Sequence, residues 1–313
     1  IFYQQPSANA GTSGIACGTL NYTFSAVPSA GIGTWSLQSG PGTAGYAPSA
    51  NSPAATATVT TIGSYIFKWL EVNGICSDSD TVSVNFFNLP VVSFSGLSGP
   101  YCISDTFPKT LTGSPLGGTF SGNGIVGNNF YPNLAAVGNN TITYTYTDAN
   151  TCTNFSPQVV NIIGLPIVYF TGLASPYCED DATPVVLTGF PPGGIYTGPG
   201  TLGNTFIPSL AGSGFHSIKY TYTDGNGCTN FETQSVVVKS LPLVTFSGLN
   251  TAYCVDAPVA ALSGFPGGGA FSGPGITGNN FTPATAGVGL HSITYTFTDS
   301  DGCTDDSTKS VTV

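Results

Sequence analysis

The residues best suited to chemistry in this chain are eight cysteines, which fall two to a repeat of about 76 residues. Regularly spaced, even-numbered cysteines are typical of disulfides formed in an oxidising, extracellular compartment. Metal binding is the alternative, but the chain has no C-x-x-C pair to support it. We therefore predict one disulfide within each repeat, in the pairs Cys17–Cys76, Cys102–Cys152, Cys178–Cys228 and Cys254–Cys303.

An acidic turn precedes the second cysteine of each repeat, as in the stretch YTYTDGNGC that ends at Cys228. A disulfide Cys178–Cys228 would bring this turn close to the acidic residues that follow Cys178, and their oxygens would suit Ca²⁺. The favoured interpretation is that Asp and Asn close the turn by bonding their own backbone, because the carboxylate count varies between copies. The alternative is a Ca²⁺ site, and calcium is the one cofactor that the sequence suggests. The candidate ligands are Asp180, Asp181, Asp224, Asn226, Asp256, Asp299 and Asp301.

Two other patterns resemble functional motifs. G-x-G-x-x-G occurs at residues 198–203 and in three more copies, but a nucleotide site requires a helix after it, and Asn, Phe and Pro follow instead. This favours a turn. His216 and His291 occupy equivalent places in two repeats, where another repeat has Asn140, and no catalytic partner set surrounds them. We expect no enzymatic activity.

The net charge of the chain limits the classes of partner that it can bind. The net charge is −10, with five Lys and no Arg, and charged residues are only 6% of the chain. Nucleic acid and anionic membrane surfaces both require clustered cations, so neither is an expected partner. The longest apolar run, residues 159–170, is short and interrupted, which predicts no membrane insertion.

Alternation of aromatic and polar residues before each acidic turn predicts a half-buried strand. In residues 217–223 we expect Ile218, Tyr220 and Tyr222 to point inward and Lys219 and Thr221 outward. Gly and Pro turn residues are dense and helix formers scarce, so the fold class is all-β. Six or seven short strands per repeat predict a small immunoglobulin-like sandwich. In residues 165–240 we place them at 167–171, 184–187, 194–197, 204–207, 217–223 and 234–239.

Recurring Leu-Pro pairs set the domain boundaries. Residues 1–6 resemble the end of a preceding repeat, which suggests a segment of a longer array. The short junctions with a stiff Pro favour an elongated rod. These boundaries define repeat 1 (residues 7–88, the divergent copy), repeat 2 (89–164), repeat 3 (165–240) and repeat 4 (241–313).

The motifs GTWS, SGPG and GSYIFKWLEVNGICSDSDTVSV in repeat 1 resemble PKD-like modules of large secreted Bacteroidota proteins. The motifs LPxVxFSGL, YC, GTFSG, NNF and ITYTYTD in the other repeats resemble the Ig-like modules of surface adhesins. These include the giant gliding-motility adhesins exported by the type IX secretion system. The resemblance covers the whole chain and implies extracellular display and adhesion.

We therefore expect a non-enzymatic stalk within a surface adhesin, with neighbouring repeats of the same chain as its structural partners. One alternative is a carbohydrate-binding module that recognises polysaccharide, or an abiotic surface, through exposed aromatic rings. Trp35 and Trp69 are the candidates, since the chain has no other tryptophan. Another alternative is a filament subunit whose partners are other copies of itself.

Overall fold

The computed structural model describes residues 1–313 and is nearly all β. The chain divides into two compact units, Ile1–Gly164 and Leu165–Val313, and each contains two hydrophobic clusters. Helices are limited to a 3-10 turn and two single turns, and none of them is long and apolar enough to cross a membrane. They are the 3-10 turn Pro132–Leu134, α1 (Pro208–Ala211) and α2 (Pro283–Ala286).

Repeat 1 is built from two sheets that enclose one core. The four-stranded sheet has the order β1-β7-β6-β3, with β1 parallel to β7, and the three-stranded sheet has the order β2-β5-β4. The strands are β1 (Gly14–Cys17), β2 (Asn21–Thr23), β3 (Ile32–Ser39), β4 (Ala44–Ala47), β5 (Thr56–Val59), β6 (Gly63–Asn73) and β7 (Cys76–Phe87).

Repeat 2 has the same long hairpin, flanked in the order β12-β15-β16-β9, with β9 parallel to β16. Shorter sheets β10-β14-β13 and β11-β8 complete the repeat around a separate core. The strands are β8 (Ser93–Ser95), β9 (Tyr101–Cys102), β10 (Lys109–Thr110), β11 (Thr112–Ser114), β12 (Thr119–Ser121), β13 (Ile125–Val126), β14 (Asn129–Phe130), β15 (Gly138–Thr147) and β16 (Thr153–Ile163).

Repeat 3 follows the same plan, with sheets β21-β24-β25-β18, β19-β23-β22 and β17-β20. The six predicted strands are present, and three further short strands were not predicted. Ile218 and Tyr220 are buried as predicted, with Tyr222 half-buried. The strands are β17 (Tyr169–Thr171), β18 (Tyr177–Cys178), β19 (Val185–Val186), β20 (Thr188–Phe190), β21 (Ile195–Thr197), β22 (Thr201–Leu202), β23 (Thr205–Phe206), β24 (Gly214–Thr223) and β25 (Thr229–Lys239).

Repeat 4 has sheets β29-β32-β33, β27-β31-β30 and β26-β28. A single parallel bridge from Ala252 to Thr312 stands where repeats 2 and 3 have a two-residue strand. The strands are β26 (Thr245–Ser247), β27 (Ala260–Ala261), β28 (Ser263–Phe265), β29 (Ala270–Ser272), β30 (Ile276–Thr277), β31 (Asn280–Phe281), β32 (Leu290–Thr298) and β33 (Thr304–Thr312).

A buried tyrosine anchors the core of repeats 2, 3 and 4. In repeat 3 the Tyr220 hydroxyl donates to the carbonyl of Pro191 at 2.5 Å and accepts the Gly194 amide at 2.8 Å. Its ring lies where a Cβ on Gly189 would be, so only glycine fits there. The hydroxyls of Tyr144 and Tyr295 make the same pair of bonds in repeats 2 and 4. Burial of the ring is thus combined with a fully bonded hydroxyl.

The core of repeat 1 uses a buried carboxylate instead. Glu71 is 1% exposed and accepts the indole N–H of Trp69 at 2.9 Å. It also accepts the Ser29 hydroxyl and the amides of Ser29 and Ala30. Burial alone would raise the pKa of Glu71, but these hydrogen bonds outweigh it and lower the pKa below its usual value. Glu71 therefore ties the loop before β3 to the core as a carboxylate.

Candidate functional site: disulfides between repeats

The cysteines pair between repeats, and the predicted pairing within repeats is wrong. Cys17 of repeat 1 is bonded to Cys152 of repeat 2, and Cys178 of repeat 3 to Cys303 of repeat 4. In both bonds the first cysteine of one repeat joins the second cysteine of the next. None of the predicted pairs Cys17–Cys76, Cys102–Cys152, Cys178–Cys228 and Cys254–Cys303 forms, and Cys102 and Cys228 are themselves disulfide-bonded.

Strand geometry explains why pairing within a repeat is impossible. In repeat 3, Cys178 lies beside Lys239 at the end of β25, whereas Cys228 precedes Thr229 at the start of that strand. Eleven extended residues place the two ends roughly 35 Å apart. A disulfide requires Cα atoms within about 7 Å. The two cysteines of one repeat therefore lie at its opposite ends and are too far apart to bond to each other.

In the first unit, the junction between repeats 1 and 2 is mostly apolar and backbone-bonded around Cys17–Cys152. The Gly18 amide donates to the Phe87 carbonyl at 2.8 Å, which holds the chain after Cys17 along the end of β7. Leu89 packs so closely on Gly18 that a Cβ there would lie 2.6 Å from the Leu89 side chain. Cys152 is completely buried. The bond is thus shielded on the repeat 2 side.

In the second unit, the junction between repeats 3 and 4 adds polar contacts to Cys178–Cys303. The Lys239 ammonium lies 3.0 Å from the Asp301 carboxylate, which is on the turn that carries Cys303. The Leu241 amide donates to Glu179 at 3.0 Å at the start of repeat 4. The Lys–Asp pair is substantially exposed, so it contributes little to stability. The disulfide is the main link in this junction.

Each bond closes a long loop in the chain. The sequence separation is 135 residues for Cys17–Cys152 and 125 for Cys178–Cys303. On the chain-entropy model, a loop of this length restricts the unfolded state by about 5 kcal/mol. This exceeds the value of about 4 kcal/mol for the predicted loops of about 50 residues. Cross-linking two repeats therefore stabilises both of them together.

The acidic turns hold the backbone of the second cysteines in repeats 3 and 4. In repeat 3, one Asp224 oxygen accepts the amides of Asn226 and Cys228, each at 2.9 Å. Asp299 does the same for Asp301 and Cys303 in repeat 4. This is the favoured interpretation of the turns, in which the carboxylate bonds its own backbone.

The candidate calcium ligands do not converge. No group of three or more His, Cys, Asp or Glu side chains is placed to hold a metal ion. The disulfide Cys178–Cys228, which was the reason to expect Asp180 and Asp181 near Asp224, does not exist. Asp181 accepts the Thr183 amide at 2.9 Å, and Asp301 is paired with Lys239. Asp256 follows the free cysteine Cys254. The calcium site therefore remains a prediction, and no cluster of ligand side chains in the structure supports it.

The tryptophans predicted as a carbohydrate platform are buried. Trp35 and Trp69 are each 1% exposed and lie in the core of repeat 1, with their ring centroids 5.2 Å apart. Phe24 stacks on Trp35 at 3.9 Å. These rings cannot contact a ligand, so the prediction of a platform at Trp35 and Trp69 is wrong.

The histidines have a structural role that the sequence did not reveal. The His216 Nε2 bonds the Gly212 carbonyl at 2.7 Å, and the His291 Nε2 bonds the Gly287 carbonyl at 2.8 Å. Asn140, at the equivalent place in repeat 2, donates its amide to the carbonyls of Ala136 and Gly138. These side chains hold the turn before the long strand. Their exchange between His and Asn was the available signal, since both side chains carry an N–H donor that can bond a turn carbonyl.

Four surface pockets and the glycine motif of repeat 3 contain no charged side chain. Four shallow pockets are lined by backbone and by uncharged side chains. The G-x-G-x-x-G motif of repeat 3 forms turns on either side of β22, with Gly198, Gly200 and Gly203 at positive φ, and leads into strand β23. The turn interpretation of the motif is confirmed.

No family model and no curated protein matches this chain. Three solved structures illustrate its structural neighbours. One is a Ca²⁺-stabilized adhesin that helps an Antarctic bacterium bind ice, 14% identical, covering 98% of this chain and 99% of its own, with a TM-score of 0.29. An I-band fragment of titin is 15% identical, with coverages of 77% and 98% and a TM-score of 0.31.

The third neighbour is an ectodomain fragment of ICAM-5, which is 13% identical, with coverages of 99% and 98% and a TM-score of 0.33. Identities and TM-scores this low bear neither on the function of this chain nor on its ligands. The sheet topology and the disulfides, not these likenesses, define the chain as an all-β, disulfide-linked repeat protein.

Proposed function

We propose that the chain is a non-enzymatic, extracellular stalk segment of a bacterial surface adhesin, in which disulfides between repeats resist tension. The observation that carries the proposal is the pairing of Cys17 with Cys152 and of Cys178 with Cys303. Disulfides persist in oxidising compartments, which supports an extracellular location. The resemblance of the repeat motifs to Bacteroidota surface adhesins supports the adhesin context and export by the type IX system.

The load path explains how the bonds would serve a stalk. A force that pulls on the two ends of the second unit enters near Leu165 and leaves near Val313. Cys178–Cys303 bypasses the intervening 125 residues, so unfolding them releases no length. With every disulfide reduced, the same residues would extend by roughly 400 Å. A stalk of this kind keeps its reach even when its modules open transiently.

Single-molecule force extension of the full chain, held at both termini, tests the proposal. We expect the oxidised chain to release no length from the span 178–303, and the dithiothreitol-treated chain to release roughly 400 Å more from it. The double variant Cys178→Ser, Cys303→Ser should release part of this length, because Cys228 within the span keeps its own disulfide. Equal extension of oxidised and reduced chains would mean that the bonds do not bear load, which would overturn the proposal.

One observation favours a second candidate, carbohydrate binding by repeat 3. Tyr169 and Phe190 stack across strands β17 and β20 with their centroids 4.9 Å apart, and they are 49% and 39% exposed. Because the two rings stack on each other, each has only its outer face open, and a sugar ring packs on an aromatic face of this kind. This face would replace the buried Trp35 and Trp69 as the platform.

Binding of the purified chain to immobilised polysaccharides and abiotic surfaces, with Ca²⁺ and then with chelator, tests the second candidate. Saturable binding that is lost in Tyr169→Ala but kept in Phe215→Ala, an exposed control in the same repeat, would support it. Chelator-sensitive binding lost in Asp224→Ala would instead support the calcium prediction. Absence of binding in all arms would contradict carbohydrate recognition and leave the stalk.

A further inference from the structure

A surface pocket of repeat 3 lies next to Phe190, on the side of β20 that faces away from β17. It is lined by Thr188, Gly189, Asn204 and Tyr196, together with two glycines of the turn after β20, and its volume is about 250 Å³. This is below the range of about 300–1,000 Å³ that is usual for drug-sized ligands. The pocket therefore suits one sugar unit.

The edge of β20 that borders this pocket is unpaired. β17 pairs with the opposite edge through residues 188–190. On the pocket side the pairing ends at Leu187, whose amide donates to the Asn204 carbonyl at 2.8 Å. Because backbone groups alternate in direction along a strand, Gly189 also turns its N–H and C=O away from β17. One backbone donor and one acceptor therefore face the pocket.

Phe190 adds an aromatic face beside the same edge. Its ring stacks on that of Tyr169 across the two strands, with an interplanar angle of 18°. Because the inner faces of the two rings cover each other, the open face of Phe190 is turned away from β17, toward the pocket. A sugar ring stacked on this face would bring its hydroxyl groups to the Gly189 backbone and to the exposed polar side chains of Thr188 and Asn204.

The wall of the pocket contains a polar atom without a partner. The Tyr196 hydroxyl is buried and forms no hydrogen bond, and burial raises the pKa of Tyr196 to about 12. The hydroxyl is therefore a neutral donor at ordinary pH. Buried polar groups are nearly always hydrogen-bonded, so this donor is free to bond a ligand. A ligand reaches it when the pocket widens on binding, which the adjoining Gly193 and Gly194 permit.

Repeat 2 has the same pocket without the ring and the hydroxyl. Its pocket, of about 240 Å³, is lined by the equivalent threonine, glycine, asparagine and core tyrosine. Ser114 stands in place of Phe190, and Phe120 stands in place of Tyr196. Repeat 2 therefore shows which residues in repeat 3 can be exchanged without loss of the fold.

The charges of the chain select against anionic sugars. No charged side chain lines the pocket of repeat 3, so a carboxylate or sulfate group would find no cation there. The chain as a whole has a net charge of −10, which repels anionic polymers. Both observations favour a neutral sugar.

We propose that repeat 3 binds a neutral polysaccharide, with one sugar unit stacked on Phe190 and its hydroxyl groups bonded in the pocket by Gly189, Asn204 and Tyr196. The inference rests on the carbohydrate-binding candidate given above and adds its ligand class and the residues that select it. The aromatic ring provides contact area for many sugars, whereas the few polar groups of the pocket fix orientation and provide specificity. Tyr196 is the specificity-determining residue that repeat 2 lacks.

Isothermal titration calorimetry of the full chain tests the proposal. The neutral probes are cellohexaose, xylohexaose and maltohexaose, and the anionic probe is hexagalacturonate. We expect at least one neutral probe to bind about tenfold or more tightly than hexagalacturonate. Tyr196→Phe should weaken binding of that probe about tenfold, because one hydrogen bond is lost. Phe190→Ser, which copies repeat 2, should abolish binding.

The matched control is Tyr46→Phe in repeat 1, since Tyr46 has the other buried hydroxyl without a partner. This variant should bind the neutral probe as the wild-type chain does. Binding that is lost in Tyr169→Ala but unchanged in Tyr196→Phe and Asn204→Ala would overturn the pocket and keep the carbohydrate candidate. Tighter binding of hexagalacturonate would overturn the ligand class. Absence of binding by every probe would contradict both the candidate and the inference.

Discussion

Repeats 1 and 3 stabilise similar two-layered cores in chemically different ways. Repeat 1 encloses two tryptophans and binds a loop to them through the buried carboxylate of Glu71. Repeat 3 contains no tryptophan and bonds the hydroxyl of Tyr220 to two backbone groups. The carboxylate accepts four donors, whereas the hydroxyl makes two bonds. The comparison indicates that repeat 1 depends more heavily on one polar side chain and that this dependence is sensitive to pH.

The largest expected effect comes from removing a bond that spans two repeats. The double variant Cys178→Ser, Cys303→Ser should lose about 5 kcal/mol in the unfolding free energy of the second unit, because the loop of 125 residues is no longer closed. Urea denaturation followed by far-UV circular dichroism would measure the loss. The matched control is Cys76→Ser, Cys254→Ser, which removes two free thiols and should leave stability unchanged. An equal loss in both variants would contradict the interpretation.

Removal of the buried carboxylate should have the next largest effect and should be confined to repeat 1. We expect Glu71→Ala to cost about 3 kcal/mol, because the donors of Ser29, Ala30 and Trp69 would be left buried without an acceptor. Both tryptophans lie in repeat 1, so their fluorescence reports on this repeat alone. Glu232→Ala on the partly exposed hairpin of repeat 3 is the control. If Glu71→Ala leaves the unfolding transition detected by tryptophan fluorescence unchanged, repeat 1 does not depend more heavily on one polar side chain than repeat 3 does.

Loss of the tyrosine hydroxyl should have a smaller effect in repeat 3. Tyr220→Phe retains the ring but leaves the Pro191 carbonyl and the Gly194 amide without this partner, at a cost of about 1–2 kcal/mol. Hydrogen exchange of the β24 and β25 amides would detect it, with tryptophan fluorescence unchanged. Tyr222→Phe, on the same strand and half-buried, should cost less. Equal protection in the two variants would show that the hydroxyl bonds do not stabilise the core.

The smallest expected effect is the dependence of repeat 1 on pH. The pKa of Glu71 is lowered in the folded state, since its hydrogen bonds outweigh burial, and the carboxylate therefore stabilises the fold at neutral pH. This contribution should decline as the pH falls below the usual glutamate pKa of about 4.3 and vanish below the lowered pKa. Tryptophan-detected urea midpoints between neutral and acidic pH would measure it. A wild-type slope identical to that of Glu71→Gln would show that another group is responsible.

Periodicity in the sequence was sufficient to predict the repeats, the long core strand and the turns. Alternation placed Ile218 and Tyr220 in the core, and the Asp residues of the turns do bond their own backbone. The repeat period also showed that each repeat has two cysteines, but it could not show which cysteine bonds to which. Strand length does, because eleven residues of β25 separate the positions of Cys178 and Cys228.

The periodicity of the sequence could not predict contacts between residues that are far apart in the chain. Glu71 has its acceptor role because Ser29 and Ala30, more than forty residues earlier, fold onto it. Trp35 and Trp69 were predicted at the surface as rare aromatic residues, yet they face each other across the strand pair β3 and β6. Scarcity of a residue type does not indicate exposure. Large rings more often fill a core.

The cross-linked topology also protects the molecule against cutting. A protease that cleaves one peptide bond between Cys17 and Cys152, or between Cys178 and Cys303, leaves both fragments attached through the disulfide. These spans of 135 and 125 residues include most of the turns and loops, which are the segments that proteases attack first. A nicked chain would stay in one piece wherever the surroundings remain oxidising, and would come apart only where a reductant is present.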